Sequence, residues 1–349
     1  MRSFILLSFV AVVAACSSET DTTHPLTTGG STTAVGGENQ NGEHGSNAPS
    51  GPTSTPAAGT SVGTESWADG KVLSGNVTIT AGATVTIVPG ATVTVADGVA
   101  ITVKGTLKVA SSTNHAKLTG ARWAGIVVAS GGTFDADGLE LSKPASAIWT
   151  QQGNAGASFQ NGVIDAGTPF KMEAGSKLSI VKSTVTATSG SAIAGAFTAS
   201  FMTYDKTTAG GLTLNDPQGT MTISDSTLKG AGSGDYLISE TGHLVSVAYS
   251  TIAGAHCGFH FDSVDQYTID HVSDDTNAYG AMLYGSGAGP NTVTSSNIRS
   301  LERDLDMSGT NGALTVTDSL TGGKNNLQTN AKIVSPRTVA VADAKPRSL

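Results

Sequence analysis

The amino-acid sequence predicts an all-β fold in which short strands wind into a solenoid of stacked turns. Apolar residues recur every 21 to 25 positions between Ile87 and Val316, a repeat that is too short for a pair of helices. Glycine is abundant (44 residues), only 13% of the residues are charged, and Val, Ile and Thr are concentrated in the repeating part. Because a solenoid grows by adding turns, we expect one domain of about eleven turns.

The first turns define the repeat most clearly. Apolar residues there fall eight positions apart, and glycines at the same interval supply the corners, so three strands of eight residues make one turn. Further along the chain, three apolar columns predict three faces. The main column comprises Ile87, Val109, Phe134, Phe159, Ile180, Phe201, Ile223, Val247, Ile269, Val293 and Val316. The second comprises Leu139, Ile164, Val185, Leu228, Ile252 and Ile298, and the third Ile148, Met172, Ile193, Leu214, Leu237, Phe259, Met282 and Leu305.

The N-terminus predicts export and a lipid anchor. Residues 1–15 have a short basic start, an apolar stretch and small residues at the end, as in a signal peptide. The segment Val13-Ala14-Ala15-Cys16 resembles the bacterial lipobox, which implies cleavage before Cys16 and acylation of that cysteine, with the lipid bilayer as a partner. Ser17 resembles the residue usage of lipoproteins that are exported to the outer membrane, so we expect a lipid-anchored protein of the cell envelope there.

Three further segments follow the signal peptide. Residues 16–65 are rich in Ser, Thr, Gly and Pro and contain few large apolar residues, which predicts a disordered tether. Residues 66–325 carry the repeat, and residues 326–349 lose it and are expected to cap the last turn. With Cys16 acylated, Cys257 is the only remaining thiol, so no intramolecular disulfide is expected and Cys257 is expected in the core.

The repeating part resembles a known group, the right-handed parallel β-helix proteins of the pectate-lyase-like type. Residues 75–128 carry the resemblance, with alternating Thr and Val strands that end in Trp123-Ala124-Gly125-Ile126. The resemblance covers about residues 66 to 325 and implies the right-handed β-helix. It implies no single function, because the superfamily includes lyases, hydrolases, binding modules and structural spacers.

Two polar columns accompany the apolar ones. An outward hydroxyl stripe precedes the main column, at Thr133, Ser158, Ser179, Ser200, Thr222, Ser246, Thr268, Thr292 and Thr315. A flat Thr array could order ice or bind another surface, but the partner column holds Gln160, Val181 and Met202, which interrupt such a plane, so a solvated strand face is the favoured interpretation. The serines at positions 183, 226, 250, 296 and 319 recur at a bend, where we expect each hydroxyl to bond to the neighbouring turns.

The densest charge lies in residues 235–306. In the lyases of the resembled superfamily, carboxylates hold Ca²⁺ against an acidic sugar and Arg or Lys takes the α-proton. Counting by turns predicts that Glu240, Asp262, Asp265 and Arg303 share one face, and the three carboxylates are the candidate Ca²⁺ ligands. Asp274-Asp275 is a lone acidic pair, and the hydrolase motifs of the polygalacturonase group do not occur as a set.

These observations favour a non-enzymatic role in display, adhesion or polysaccharide binding. The net charge of −8 and the lack of a basic run argue against nucleic acid as a partner. No cofactor is expected in this role. A polysaccharide lyase that uses Glu240, Asp262, Asp265 and Arg303 with Ca²⁺ is the alternative, and a surface-binding Thr array is a lesser one.

Overall fold

The structure, a computed structural model, describes residues 59–110, 113–207, 210–284, 289–307 and 312–349. The regular structure of these ranges consists of β-strands that pair in parallel through about ten turns, starting at Thr60. The predicted all-β solenoid is therefore confirmed, and it starts before residue 66. The predicted signal peptide, Cys16 and the tether up to residue 58 lie outside the described residues, as do the side chains of residues 233–237 and 239–240.

The strands form three stacks, since each pairs with the strand one full turn later. Stack 1 contains Glu65–Trp67, Thr84–Ile87, Thr106–Ala110, Thr133–Asp137, Gly156–Gln160, Lys177–Val181, Ala196–Ser200, Asn291–Thr294, Leu314–Thr317 and Ala331–Val334. Stack 2 contains Val72–Leu73, Thr92–Val95, Ala116–Thr119, Leu139–Ser142, Val163–Ala166, Thr184–Ala187, Thr203–Lys206, Ser273–Asp275, Asn297–Arg299 and Leu320–Thr321. Stack 3 contains Thr60–Val62, Val77–Ile79, Ala100–Val103, Gly125–Val128, Ser146–Thr150, Thr168–Met172, Ser191–Ile193, Tyr279–Leu283 and Arg303–Asp306.

Three long strands connect these stacks in the middle of the solenoid. They are Leu212–Ser224, Thr227–Ala248 and Thr251–Asp270, and each bends through one or more corners. The first begins in stack 3, where Leu212 lies opposite Ile238, and ends in stack 1, where Ile223 lies opposite Val247. Bulges in the pairing of the second and third long strands mark the corners.

The interior of stack 1 contains two adjacent apolar columns rather than one. The main column runs through Ala136 and Ala199, and the predicted members Phe134 and Phe201 are wrong by two positions. Phe134 also points inward but lies in the second column, opposite Ala157 of the next turn. In each of these turns one inward position holds a phenylalanine and the other an alanine. The summed side-chain volume of the two positions therefore fills the interior whichever column holds the ring.

The second and third predicted columns are also partly confirmed. In stack 2, Leu141 rather than Leu139 lies opposite Ile164. No member of this column was predicted for two of its turns, and there the inward positions hold Tyr204 and Asp274. In stack 3, Ile148 lies opposite Phe170 rather than Met172, and Phe259 opposite Ala281 rather than Met282. Cys257 is buried, as predicted. The predicted member Leu237 lies outside the described side chains.

One corner follows the same backbone rule from the strand Gly156–Gln160 onward. At the end of this strand and of each later stack 1 strand, a residue adopts a positive φ although it is not glycine: Asn161, Lys182, Phe201, Asp225, Tyr249, His271, Ser295, Asp318 and Ser335. In five of these turns a serine follows directly, and the predicted serine contacts are confirmed. The backbone N–H of Ser296 donates to Ser319 Oγ (3.0 Å), and Ser296 Oγ donates to the carbonyl of Thr294 (2.7 Å). The hydroxyls thus satisfy backbone groups that the turn leaves unpaired.

The hydroxyl stripe runs along the outer side of stack 1, with two substitutions. Asp135 and Thr198 occupy the places predicted for Thr133 and Ser200. Lys108 precedes Asp135 in this column, after the hydroxyls of Ser66 and Thr86, and Lys332 follows Thr315.

The C-terminal residues extend the solenoid before they leave it. The strand Ala331–Val334 pairs with Leu314–Thr317 and adds one more layer to stack 1. Residues 335–349 then return along the positive-φ corner, with Arg337 N–H donating to the carbonyl of Ser319 (3.0 Å) and Arg347 reaching Asp225. The expected cap is therefore one further strand followed by a segment on the side of the solenoid.

Candidate functional site

Two of the three predicted acidic candidates, Asp262 and Asp265, lie on the surface of the third long strand. Asp262 is close to His260, with Oδ1 3.3 Å from Nε2, and Asp265 is close to His243, with Oδ2 3.1 Å from Nδ1. Both carboxylate side chains are more than half exposed, at 56% and 62%. Each carboxylate therefore has its own histidine partner.

Arg303 lies in a different part of the surface. Arg303 lies opposite Tyr279 of the preceding turn, and Tyr279 lies opposite Cys257 of the third long strand. Arg303 is therefore two turns away from that strand, in line with Cys257 rather than with Asp262. Its guanidinium contacts Asp306, with Nη1 2.5 Å from Oδ2. The structure thus does not bring Arg303 together with Asp262 and Asp265. Glu240 lies opposite Leu214 in the backbone pairing, and its side chain is outside the described part.

A cavity of about 400 Å³ opens beside Arg303 on the last turns of the solenoid. Glu302, Arg303, Lys324, Asn325 and Asn326 line it, and we call it the 302–326 cavity. Sequence reasoning missed its second half, because Lys324-Asn325-Asn326 follows the point where the repeat is lost. The available signal was the change from apolar periodicity to a polar run directly after Gly322-Gly323.

Buried acids hold the cationic wall of this cavity in place. The carboxylate of Asp306, only 5% exposed, accepts hydrogen bonds from Arg303 and from Asn326 Nδ2 (3.0 Å). Asp304 is fully buried and accepts the backbone N–H of Lys324 at Oδ2 (2.9 Å). The ammonium group of Lys324 donates to the carbonyls of Leu301 (2.6 Å) and Ser300 (3.2 Å). These contacts fix both cations before any ligand arrives.

The electrostatics of the cavity suit a polar ligand that carries an acidic group. The hydrogen bond from Arg303 to Asp306 raises the pKa of the guanidinium, so Arg303 stays charged. Its side chain is 42% exposed and has five N–H donors, which leaves donors on the side of the cavity. Glu302, Asn325 and Asn326 add acceptors and donors that match hydroxyl groups.

Aromatic side chains lie next to the cavity. Tyr279 donates its hydroxyl to Glu302 Oε2 (2.6 Å), and the His256 ring meets the Tyr279 ring edge-on at 5.0 Å between centroids. Of the other outward aromatics, Trp149 lies beneath Lys171, whose Nζ is 3.8 Å from the ring centroid, and Tyr249 lies under Arg347. Only Tyr279 of these three touches a residue that lines the cavity in the contacts described.

Asp274 is a buried acid, and no pattern in the sequence predicted an inward position for it. It lies in the inward column of stack 2 and is fully buried. Its neighbour Asp275 points outward, with Oδ2 3.0 Å from Nη2 of Arg299. Burial raises the pKa of Asp274 to about 8, opposed by the hydrogen bond from Asn277 and assisted by the charges of Asp275 and Asp304. Asp274 is therefore neutral at pH 7, which makes it a poor ligand for a cation.

The described residues contain no group of three or more His, Cys, Asp or Glu side chains arranged to hold a metal ion. Because the side chain of Glu240 is not among them, the Ca²⁺ site stays a prediction from sequence. In the same part of the chain, no helix has the length and apolar character needed to cross a membrane.

Comparison with protein-family models, with curated proteins and with solved structures returned no match. By its architecture the protein is a parallel β-solenoid of about ten turns.

Proposed function

We propose that this chain is a lipid-anchored protein of the bacterial cell envelope that holds a polysaccharide-binding surface away from the membrane and performs no catalysis. The 302–326 cavity carries the proposal. It is an open depression of about 400 Å³ with a polar lining, as expected for a site that binds a hydrated, polar ligand at the surface. Two cations, one carboxylate and two amides are the donors and acceptors that sugar hydroxyls and uronate carboxylates require.

The proposed anchor is the acylated Cys16, followed by a tether that ends before the first strand at Thr60. By the flexible-chain estimate, a tether of about 40 residues has an end-to-end distance on the order of 35 Å, enough to keep the solenoid clear of lipid head groups. The right-handed twist, membership of the pectate-lyase-like group and the outer-membrane location are parts of the same proposal. They rest on residues 75–128, on the lipobox and on Ser17.

The binding proposal is tested on an array of neutral and acidic polysaccharides. We expect the full chain to retain glycans that contain uronic acid, and Lys324→Gln to weaken retention at least fivefold. Lys177→Gln, which removes an exposed lysine from stack 1, is the matched control and should bind as the wild type does. Equal binding by wild type and Lys324→Gln, with both folded by circular dichroism, would remove the cavity from the proposal.

The same samples separate binding from lyase activity. Incubation of acidic glycans with the protein and Ca²⁺ should give no rise in ultraviolet absorbance from unsaturated sugars. A Ca²⁺-dependent rise that is lost in Asp262→Asn would favour the lyase alternative instead.

The anchor is tested separately. Cys16→Ala should move the protein from the membrane fraction to the soluble fraction, whereas Cys257→Ala should not. Retention of Cys16→Ala in the membrane fraction would contradict lipid anchoring without affecting the glycan result.

A further inference from the structure

The C-terminal segment lies along one corner of the solenoid as an irregular, bent chain. We call residues 336–349 the tail and the residues Asp225, Tyr249, His271, Ser295 and Asp318 the corner column. These five residues occupy the same corner in successive turns, each with a positive φ. Arg337 lies at the Asp318 end and Arg347 at the Asp225 end, so the tail crosses four turn-to-turn steps.

The two ends of the tail are anchored by arginines. Arg337 makes a two-bond contact with Asp318, at 2.6 Å from Nε to Oδ1 and 2.8 Å from Nη2 to Oδ2. Arg347 does the same with Asp225, at 2.6 Å and 2.7 Å. Paired hydrogen bonds of this kind select a planar guanidinium over an ammonium group.

The Arg347 site is enclosed on more than one side. The side chain of Asp225 is only 2% exposed, and the guanidinium carbon of Arg347 lies 4.1 Å from the centroid of the Tyr249 ring. The Tyr249 ring stacks in turn on His271, at 4.5 Å between centroids and 15° between planes. A buried carboxylate and an aromatic face together form a specific site for a guanidinium group.

Between the anchors, the solenoid binds the backbone of the tail. Asn297 Nδ2 donates to the carbonyl of Val341 (2.9 Å), and the Val341 N–H donates to Asn297 Oδ1 (2.8 Å). Val341 and Ala344 are buried against the solenoid, and Asp343 Oδ2 lies 3.6 Å from His271 Nε2. A turn follows directly, because the N–H of Ala344 donates to the carbonyl of Val341 (3.3 Å), so the solenoid holds the tail in a bent conformation between its anchors.

We propose that the corner column is a binding groove for a basic peptide with a turn between two arginines at the spacing of Arg337 and Arg347, and that the chain's own tail fills it as a releasable latch. The groove provides the carboxylates of Asp225 and Asp318, and the tail provides the matching guanidinium groups. Both arginine side chains remain about half exposed, at 43% and 58%, so salt and competing peptides can reach the anchors.

The test uses the full chain with the latch released. In the double variant Arg337→Gln/Arg347→Gln, the groove should be open to a fluorescent synthetic peptide with the sequence of residues 335–349. We expect this peptide to bind the double variant at least tenfold more tightly than the wild type, whose own tail competes, and the affinity to fall with added NaCl. A peptide with glutamine at both arginine positions should not bind.

The matched control is Arg122→Gln/Arg299→Gln, which removes two arginines from elsewhere and should leave the groove filled and the peptide unbound. Asp225→Asn added to the released variant should abolish peptide binding. If the released variant is folded by circular dichroism and does not bind the peptide, the groove proposal is wrong.

A second measurement does not depend on the double variant. Hydrogen exchange of the Val341 N–H, which is bonded to Asn297, reports whether the tail is docked. We expect Asp225→Asn to speed this exchange more than tenfold while the core amides of Val293 and Val316 stay protected. An unchanged exchange rate at Val341 would show that Arg347 does not hold the tail in place.

Discussion

Asp274 shows how position in the solenoid changes the chemistry of a single residue. It lies between Ile252 of the preceding turn and Ile298 of the following turn, in a column of apolar side chains. Asn277 donates to one of its carboxyl oxygens, and the other, Oδ2, has no hydrogen-bond partner among the described residues. The charged form is therefore poorly solvated, and the neutral acid is the stable form near neutral pH.

The raised pKa of Asp274 predicts a pH-dependent stability with a definite sign. The folded protein keeps this proton up to about pH 8, whereas the unfolded chain loses it near pH 4, so the free energy of unfolding falls as pH rises through this window. A window of about four pH units at about 1.4 kcal/mol per unit corresponds to a loss on the order of 5 kcal/mol. We expect Asp274→Asn to remove most of this dependence and to be more stable than the wild type at pH 8.

Urea unfolding at pH 4.5, 6 and 8 measures this effect. Asp275→Asn is the matched control, since the neighbouring carboxylate is exposed and pairs with Arg299. Parallel stability curves for wild type and Asp274→Asn would contradict the assignment of a neutral buried acid.

At the scale of a strand and its corner, the serines after the positive-φ residues replace backbone hydrogen bonds that the turn cannot make. Removal of one hydroxyl leaves a buried N–H of the neighbouring turn without its acceptor, and such a group costs about 1–3 kcal/mol. Ser296 is fully buried and accepts the N–H of Val272 at 3.0 Å. The column therefore stabilises one corner of successive turns.

We expect Ser296→Ala to lower the free energy of unfolding by about 1–2 kcal/mol. Ser246→Ala is the control with the same chemical change, because Ser246 lies on the outer, partly exposed side of stack 1. Chemical denaturation of both variants gives the comparison. Similar losses in the two variants would mean that the corner hydroxyls have no special role.

The sequence predicted the register well where the main column itself holds a large aliphatic residue. The register from Ile223 through Val247, Ile269, Val293 and Val316 agrees with the structure. It failed at Phe134 and Phe201, because strand faces repeat every two residues and the sequence pattern gives more weight to a ring than to Ala136 or Ala199. Phe201 is a corner residue with φ of 53°, where an apolar side chain follows no periodic pattern.

The candidate site was less predictable than the fold, for a reason of the same kind. Arg303 was expected beside Asp262 and Asp265, but Thr251–Asp270 bends through corners that a count of residues per turn does not resolve. Asp306, which fixes Arg303, was not among the predicted residues. Contacts such as Arg347 to Asp225 join residues 122 positions apart and leave no periodic trace in the sequence.

At the scale of the whole molecule, each turn is stabilised mainly by its two neighbours, so a defect in one turn divides the solenoid. Gly125 lies between two turns in stack 3, with φ of 122°. A Cβ atom at this position would overlap the carbonyl oxygen of Ser146 in the next turn, whereas Gly131, with φ of 77°, has open space around it. Glycine is thus required at position 125 by the close approach of the next turn, and it is favoured at position 131 only by the positive φ.

We expect Gly125→Ala to destabilise the protein by about 3 kcal/mol or more, and Gly131→Ala by about 1 kcal/mol. Hydrogen exchange followed by mass spectrometry should show protection lost first in residues 59–124 of Gly125→Ala, with the later turns still protected. Uniform loss of protection along the solenoid would argue for a single cooperative unit instead.

The tail that joins Asp318 to Asp225 has a consequence for how this protein can change in length. Repeat proteins lengthen by duplication of a unit, and one duplicated turn adds about 4.8 Å along the axis. A duplication between residues 225 and 318 would leave Arg347 one layer short of its carboxylate, unless the tail grew at the same time. Duplication of a turn before residue 225 would leave the distance between Asp225 and Asp318 unchanged. The tail would still reach both carboxylates, so the solenoid can lengthen in its N-terminal half without a change in the tail.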